Sequence, residues 1–250
     1  MTATRDPATR VVIVTGVSRG LGAALAAECL ARGYRVLGIG RSSDASLAHP
    51  RYAFAACDLA DVDALDALVG PAFHALAATR PAQAVLVNNA AMAGPVGVVG
   101  ALAGGDIAAS LAANLAAPAI LANAFCRAFT DAACDRRIVN VSSGAAERTI
   151  AGGALYCTAK AGMEMLTRAI AADHPGSTLV PVTLRPGVID TGMQTFMRSQ
   201  PPAALPSVAM FRDFHAKGAL VPPATVARKT VDRLIDAPVD AGRTYSYAEL

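Results

Sequence analysis

Two kinds of segment alternate along the chain. Short, nearly continuous apolar runs rich in Val and Ile occur at residues 10–16 (RVVIVTG), 34–40 (YRVLGIG), 51–59 (RYAFAACDL), 83–91 (QAVLVNNAA), 136–144 (RRIVNVSSG) and 177–187 (STLVPVTLRPG). Between them lie longer stretches with apolar residues at helical spacing, including 18–33, closed by Gly33, 61–77, opened by Asp61, Asp63 and Asp66, and 156–173. A last helix is predicted over 222–237, with Pro223 near its start, and a last strand at 242–247. Strands that are apolar on both faces, separated by helices of this length, predict a parallel sheet covered on both sides. The expected fold is therefore α/β: a single-domain, Rossmann-type doubly wound parallel sheet of about seven strands, with helices on both faces.

One long segment lacks that clear pattern. Residues 192–221 mix Pro, Met and Phe, and a long insert of this kind in an α/β protein is often a lid over a site. Met193, Phe196, Met197, Met210 and Phe211 could line a pocket there or equally pack the insert itself.

Length and composition narrow the function classes. A chain of 250 residues is long enough for one core, and the expected domain spans 10–250 after a flexible lead-in at 1–9. Its formal charge of +3 is not gathered into any long Lys/Arg run, which argues against nucleic acid as a partner. The five cysteines form no CxxC pair and the first ten residues carry no apolar leader, so a reduced, cytoplasmic location is expected. Residues 107–126 are uncharged and long enough to span a bilayer. They are Ala-rich, contain Asn114, Pro118 and Asn123, and have no basic flank, so a buried or subunit-facing helix is expected rather than a membrane span. His49, His74, His174 and His215 have no metal-ligand spacing, and no metal is expected.

Candidate chemistry begins at the first strand-to-helix turn, TGVSRGLG. Glycines there let the backbone approach a pyrophosphate while free helix N–H groups point at it, which marks Gly16, Ser18, Arg19, Gly20, Leu21 and Gly22 as dinucleotide-binding. A carboxylate at the end of the second strand would favour NAD, but that place holds Arg41 and Ser42. Arginine can bind a 2′-phosphate by charge-assisted bonds, so NADP(H) is the expected cofactor, with a merely solvated Arg41 as the alternative. Asp58, beside Leu59 at the end of the third strand, could accept from an adenine amino group or cap the next helix. Tyr156 and Lys160 stand four apart on a helix, where the lysine's charge could lower the phenol pKa towards the working range of a general acid.

These motifs occur in a definite order: the glycine turn, NNAA at 88–91, Asn114, VSSG at 141–144, YCTAK at 156–160 and RPGVIDT at 185–191. The thirteen residues from Ser143 to Tyr156 complete the spacing, and over about residues 10–245 the chain resembles the short-chain dehydrogenase/reductase family. That resemblance implies a catalytic tetrad of Asn114, Ser143, Tyr156 and Lys160. In it Ser143 orients a substrate carbonyl, Tyr156 protonates its oxygen, Lys160 also holds the nicotinamide ribose, and Asn114 helps hold a water of a proton relay. It further implies that Asn89, Ala90, Ala91, Pro186, Gly187, Ile189 and Thr191 contact the cofactor, and that the protein is a homodimer or homotetramer. Ala91 replaces the family's usual glycine.

Within the family, RPGVIDTGMQ and the segment after it are most similar to the sepiapterin reductase and benzil reductase branch, which implies a small-molecule carbonyl substrate. The aspartate with which sepiapterin reductases anchor a pterin is absent, its place holding Ser246, with Glu249 nearby. A less polar diketone, hydroxyketone or aldehyde is therefore expected. Two alternatives stay open: a 3-oxoacyl-carrier reductase and a non-catalytic dinucleotide-sensing regulator.

Overall fold

The computed structural model describes residues 9–250; most of the lead-in expected at 1–9 lies outside the described residues. Seven strands form one sheet: β1 (Arg10–Thr15), β2 (Arg35–Gly40), β3 (Tyr52–Ala56), β4 (Gln83–Asn88), β5 (Asp135–Val141), β6 (Leu179–Arg185) and β7 (Thr244–Ser246). Their order is β3-β2-β1-β4-β5-β6-β7, and every pair is parallel. After β3 the chain crosses back to place β4 beside β1, in register Val14 with Val87. The strand order reverses there, which opens a crevice at the carboxyl ends of β1 and β4.

Helices cover both faces. Helix α1 (Gly20–Ala31) and helix α8 (Pro223–Thr230) pack on one side, against Val12, Val14, Val85, Val139 and Val182. The other side carries α2 (Val62–Ala78), α4 (Ala117–Ala128) and part of α5 (Ala154–Asp173), against Ile13, Leu37, Leu86 and Ile138. Gly33, at φ +84°, ends α1: its N–H reaches Leu30 O at 3.0 Å and that of Tyr34 reaches Cys29 O at 3.0 Å, as a C-terminal glycine cap does. At the same end of the sheet, a π turn (Val231–Ile235) extends α8, and buried side chains satisfy carbonyls in and just beyond it. Arg137 Nη1 donates to Leu234 O (3.0 Å) and Ala237 O (2.6 Å), while Gln83 Nε2 donates to Ile235 O (2.7 Å).

The uncharged segment forms one long helix, Gly104–Ala128, built from α3 (Gly104–Leu111), a π turn (Ala112–Ala116) and α4. It is long and apolar enough to cross a membrane, but Ala117, Leu121, Phe125 and Ala128 are buried against the sheet. Pro118 has no N–H to offer the carbonyl four residues back, that of Asn114, which explains a break in the α-helical ladder at this place.

The insert is more ordered than its sequence suggested. It folds into α6 (Gly192–Ser199) and α7 (Val208–Ala216) around a small apolar cluster of Met197, Leu205, Val208 and Phe211.

Candidate active site

A cleft of about 750 Å³ lies at the carboxyl ends of the strands. It gathers the glycine turn after β1, the ends of β2 and β3, the loop after β4, the start of α5, the turn after β6 and the lid helix α6. Of the catalytic and cofactor-contacting residues expected from the sequence, all but Gly22 and Asn114 line it.

At one end, Gly16 (φ +76°) and Gly20 (φ +62°) adopt backbone geometry that L side chains rarely take. A Cβ on Gly16 would lie 2.9 Å from Ala90 Cα, so the turn is packed against the loop after β4. Gly22 has a different task from the ligand approach expected of it. Its Cβ would fall 2.1 Å from Gly16 O and 2.5 Å from Asn89 Nδ2, so the glycine permits the turn and α1 to close on each other. Thr15 Oγ1 accepts from the N–H groups of Asn89 (3.0 Å) and Ala90 (2.9 Å), and Asn89 Nδ2 donates to Thr15 O at 2.9 Å. The Asn89 amide therefore braces the glycine turn, although the residue also lines the cleft.

Arg19, Arg41, Ser42 and Asp58 are exposed along this end. Asp58 Oδ1 accepts from Ala60 N–H at 3.0 Å in a local turn, while the cap of α2 is Asp61, which accepts from Ala64 N–H. The capping alternative thus falls to Asp61. The glycine cradle, the arginines and the oriented backbone suit a nicotinamide dinucleotide.

At the other end, Ser143 follows β5 in extended backbone, and its Oγ accepts from Ala145 N–H at 3.2 Å. A hydrogen bond from Ser143 pulls the half-buried Tyr156 phenol towards ionisation, but burial outweighs it and pushes the phenol up to about 12. This corrects the expected tuning by Lys160. The Lys160 ammonium lies 5.5 Å from the centroid of the Tyr156 ring, and Nζ donates instead to Val141 O at 2.7 Å. Lys160 is 1% exposed, and burial lowers it to about 8. A phenol with so high a pKa keeps its proton throughout the neutral range.

Asn114 departs from expectation too. It is fully buried in the π turn, where Oδ1 accepts from Met92 N–H (2.7 Å) and Nδ2 donates to Met92 O (3.0 Å) and Ser110 Oγ (3.3 Å). Its side chain clasps the loop after β4 rather than facing the cleft.

The lid supplies Met193, Gln194, Phe196, Met197 and Phe211 to the cleft, whereas Met210 is not among the lining residues. Neither Ser246 nor Glu249 lines it: Glu249 Oε2 accepts from the N–H and Oγ of Ser246, and its other oxygen binds Arg243 at 3.0 Å. Those bonds hold the Glu249 carboxyl down to about 2 and tie it to the C-terminal turn. Sequence reasoning missed Ser142, Ile150 and Gln194, which also line the cleft. Ser142 was signalled only by its place in VSSG, and nothing in the pattern pointed to the other two. Among the described residues no cluster of metal-ligating side chains occurs.

The short chain dehydrogenase family profile matches residues 10–202. Benzil reductase ((S)-benzoin forming) from Bacillus subtilis (strain 168) is 29% identical over 240 residues, 95% of this chain and 98% of that protein. Sepiapterin reductase from Meriones unguiculatus is 31% identical over 204 residues, 75% of this chain and 77% of that protein. The crystal structure of a short-chain dehydrogenase/reductase from Burkholderia vietnamiensis is 34% identical, with a TM-score of 0.68 over 78% of this chain and 94% of that one. A family match across most of the chain, on a seven-stranded parallel sheet with Ser, Tyr and Lys at its carboxyl end, makes this protein a member of the short-chain dehydrogenase/reductase family of oxidoreductases.

Proposed function

We propose that the protein is an NADPH-dependent carbonyl reductase acting on an uncharged, weakly polar vicinal dicarbonyl or α-hydroxyketone of the benzil type. The observation that carries this reading is the distribution of charge in the cleft. Among the described lining residues the charged side chains are Arg19, Arg41, Asp58 and Lys160, and the first three stand at the glycine-turn end. The end formed by Ile150, Met193, Phe196 and Phe211 offers apolar surface and the Gln194 amide. A pterin would bring a guanidine-like edge needing a carboxylate there, and burying it unpaired would cost about 1–3 kcal/mol or more.

In this reading the cofactor supplies the hydride. Ser143 Oγ orients the substrate carbonyl and Tyr156 gives its phenolic proton to the carbonyl oxygen. Alkoxides are far stronger bases than phenolates, so the raised Tyr156 pKa does not prevent that transfer. Lys160, still mostly protonated at neutral pH, holds the nicotinamide ribose. Arg41 pairs with the 2′-phosphate of NADPH.

A 3-oxoacyl-carrier substrate would favour a basic docking patch at the mouth. Two of the lid's three scattered cations are engaged locally instead: Arg212 donates to Arg198 O and Gln200 O, and Lys217 pairs with Asp213 at 2.8 Å. Tyr156 and Lys160, placed together in the cleft, equally speak against a regulator without turnover.

The test is NADPH oxidation across benzil, sepiapterin, small diketones and 3-oxoacyl thioesters. Benzil-like diketones should be consumed fastest, and Tyr156→Phe should lower kcat by roughly 10²–10⁴, the usual contribution of a positioned acid. Preference for sepiapterin or an acyl thioester would overturn the substrate class, and a fully active Phe variant would overturn the mechanism.

A further inference from the structure

Three segments must meet correctly for the chemistry proposed above: the loop after β5 with Ser143, the first turns of α5 with Tyr156 and Lys160, and the Pro186–Gly187 turn after β6. One ion-pair cluster joins all three. Arg185, the last residue of β6, binds Glu164 through a fork, with Nε to Oε1 at 2.7 Å and Nη2 to Oε2 at 2.6 Å. Glu164 lies one helical turn beyond Lys160 and is 7% exposed. Its Oε1 also accepts from Ser142 Oγ at 2.8 Å, and Ser142, itself buried, immediately precedes Ser143. The remaining Arg185 nitrogen, Nη1, reaches Glu147 at 2.6 Å, in the connection between Ser143 and Tyr156.

We propose that Arg185 and Glu164 are positioning residues for the reaction, forming a brace that fixes Ser143 relative to Tyr156 and sets the turn beneath the nicotinamide site. The proposal rests on the roles assigned above to Ser143 and Tyr156.

Geometry, rather than charge, is the route of action. Lys160 Nζ is held by Val141 O at 2.7 Å, while both Glu164 carboxylate oxygens are taken up by Arg185 and Ser142. A buried ion pair is also weak evidence for stability, because apolar residues of similar volume often replace one without loss. What such residues cannot reproduce is a planar fork that holds one carboxylate and, through it, a serine on another element. Oriented reactions are sensitive to this: a displacement of about 1 Å can lower a rate by on the order of 10²-fold.

The double variant Glu164→Leu/Arg185→Met removes the brace without leaving either charge buried alone, and Ser142 Oγ retains Lys160 O as an acceptor at 3.4 Å. We expect its unfolding temperature to match or exceed that of wild type. Its kcat for diketone reduction should fall roughly 10- to 100-fold with the KM for NADPH changed less than about 3-fold. Glu164→Gln, which keeps an acceptor for Ser142, should recover part of the loss.

A second readout does not need turnover. In protein labelled with ¹³Cζ-tyrosine, the Tyr156 resonance, assigned among the five tyrosines by Tyr156→Phe, should shift or broaden in the double variant. Unchanged kcat together with an unchanged Tyr156 resonance would overturn the proposal. If the wild type reduces none of the carbonyls, the substrate reading fails while the resonance still decides the brace. If the double variant does not fold, Ser142→Ala, which cuts the link to the loop and leaves the ion pair intact, is judged by the same two readouts.

Discussion

At the scale of single residues, the proposed preference for NADPH rests on Arg41. It stands exposed at the end of β2, the place where a carboxylate would otherwise receive the ribose 2′-hydroxyl. Removing charge-assisted bonds worth about 1.5–3 kcal/mol should raise the KM for NADPH roughly 10- to 100-fold in Arg41→Ala. NADH lacks the 2′-phosphate, so its KM should move little, and steady-state kinetics with both cofactors read the difference directly. Equal effects on the two would remove Arg41 from phosphate recognition. Tyr156 and Lys160 were legible in the sequence as a pair one helical turn apart, and Ser143 through the resemblance to the family. The environment that sets their pKa values was not. The lysine's choice of Val141 O over the phenol, and the burial that lifts Tyr156, depend on groups brought in by folding. Asn114 shows the same limit, since its partner Met92 lies 22 residues away in a loop with no regular pattern.

At the scale of elements, apolar periodicity revealed the strands and the long helices because each buries a continuous stripe. It failed on α6 and α7, of 8 and 9 residues, which are too short to display a helical period and are separated by Pro201, Pro202 and Pro206. Their order comes from the small core around Met197 and Phe211, a tertiary effect. The Arg185–Glu164 brace was hidden for a related reason: a glutamate within a helix reads as part of a solvated face until β6 is packed against it. Glycines were visible as turns, but which of them are indispensable is a packing question. Gly22→Ala would drive a Cβ to 2.1 Å from Gly16 O, a backbone atom that cannot swing aside. Overpacking of this kind costs about 1–3 kcal/mol, and the shift it forces displaces the cofactor turn, so Tm and NADPH affinity should fall together. Gly105, in the first turn of α3 with nothing within 4 Å of its Cβ position, is the control: Gly105→Ala should raise stability by up to about 1 kcal/mol and leave NADPH affinity unchanged. A Gly22→Ala protein with normal Tm and affinity would show that the turn and α1 have slack the geometry does not suggest.

At the scale of the whole molecule, the site conflicts with stability, and pH exposes the conflict. Lys160 is charged, 1% exposed and has a carbonyl rather than a carboxylate as its partner. Burial lowers it from its ordinary 10.5 to about 8. The unfolded chain therefore binds more protons than the folded one between those two values, so this group's contribution to stability improves as pH rises through that window. Below pH 8 the penalty is present in full, on the order of 3 kcal/mol. In Lys160→Met the penalty is absent at every pH, although Val141 O loses its donor. The stability difference between the variant and the wild type should therefore move towards the wild type by roughly 2 kcal/mol between pH 7 and pH 10, as the wild-type lysine sheds its charge. Taking the difference cancels groups common to both proteins, including Tyr156 and Cys29, whose raised pKa values pull stability the opposite way in alkaline solution. Urea unfolding of both proteins at pH 7, 8, 9 and 10 measures this. A difference that stays constant across the series would mean that Lys160 is solvated or paired in a way that leaves its pKa ordinary, and the charge beside Tyr156 would then carry no cost in stability.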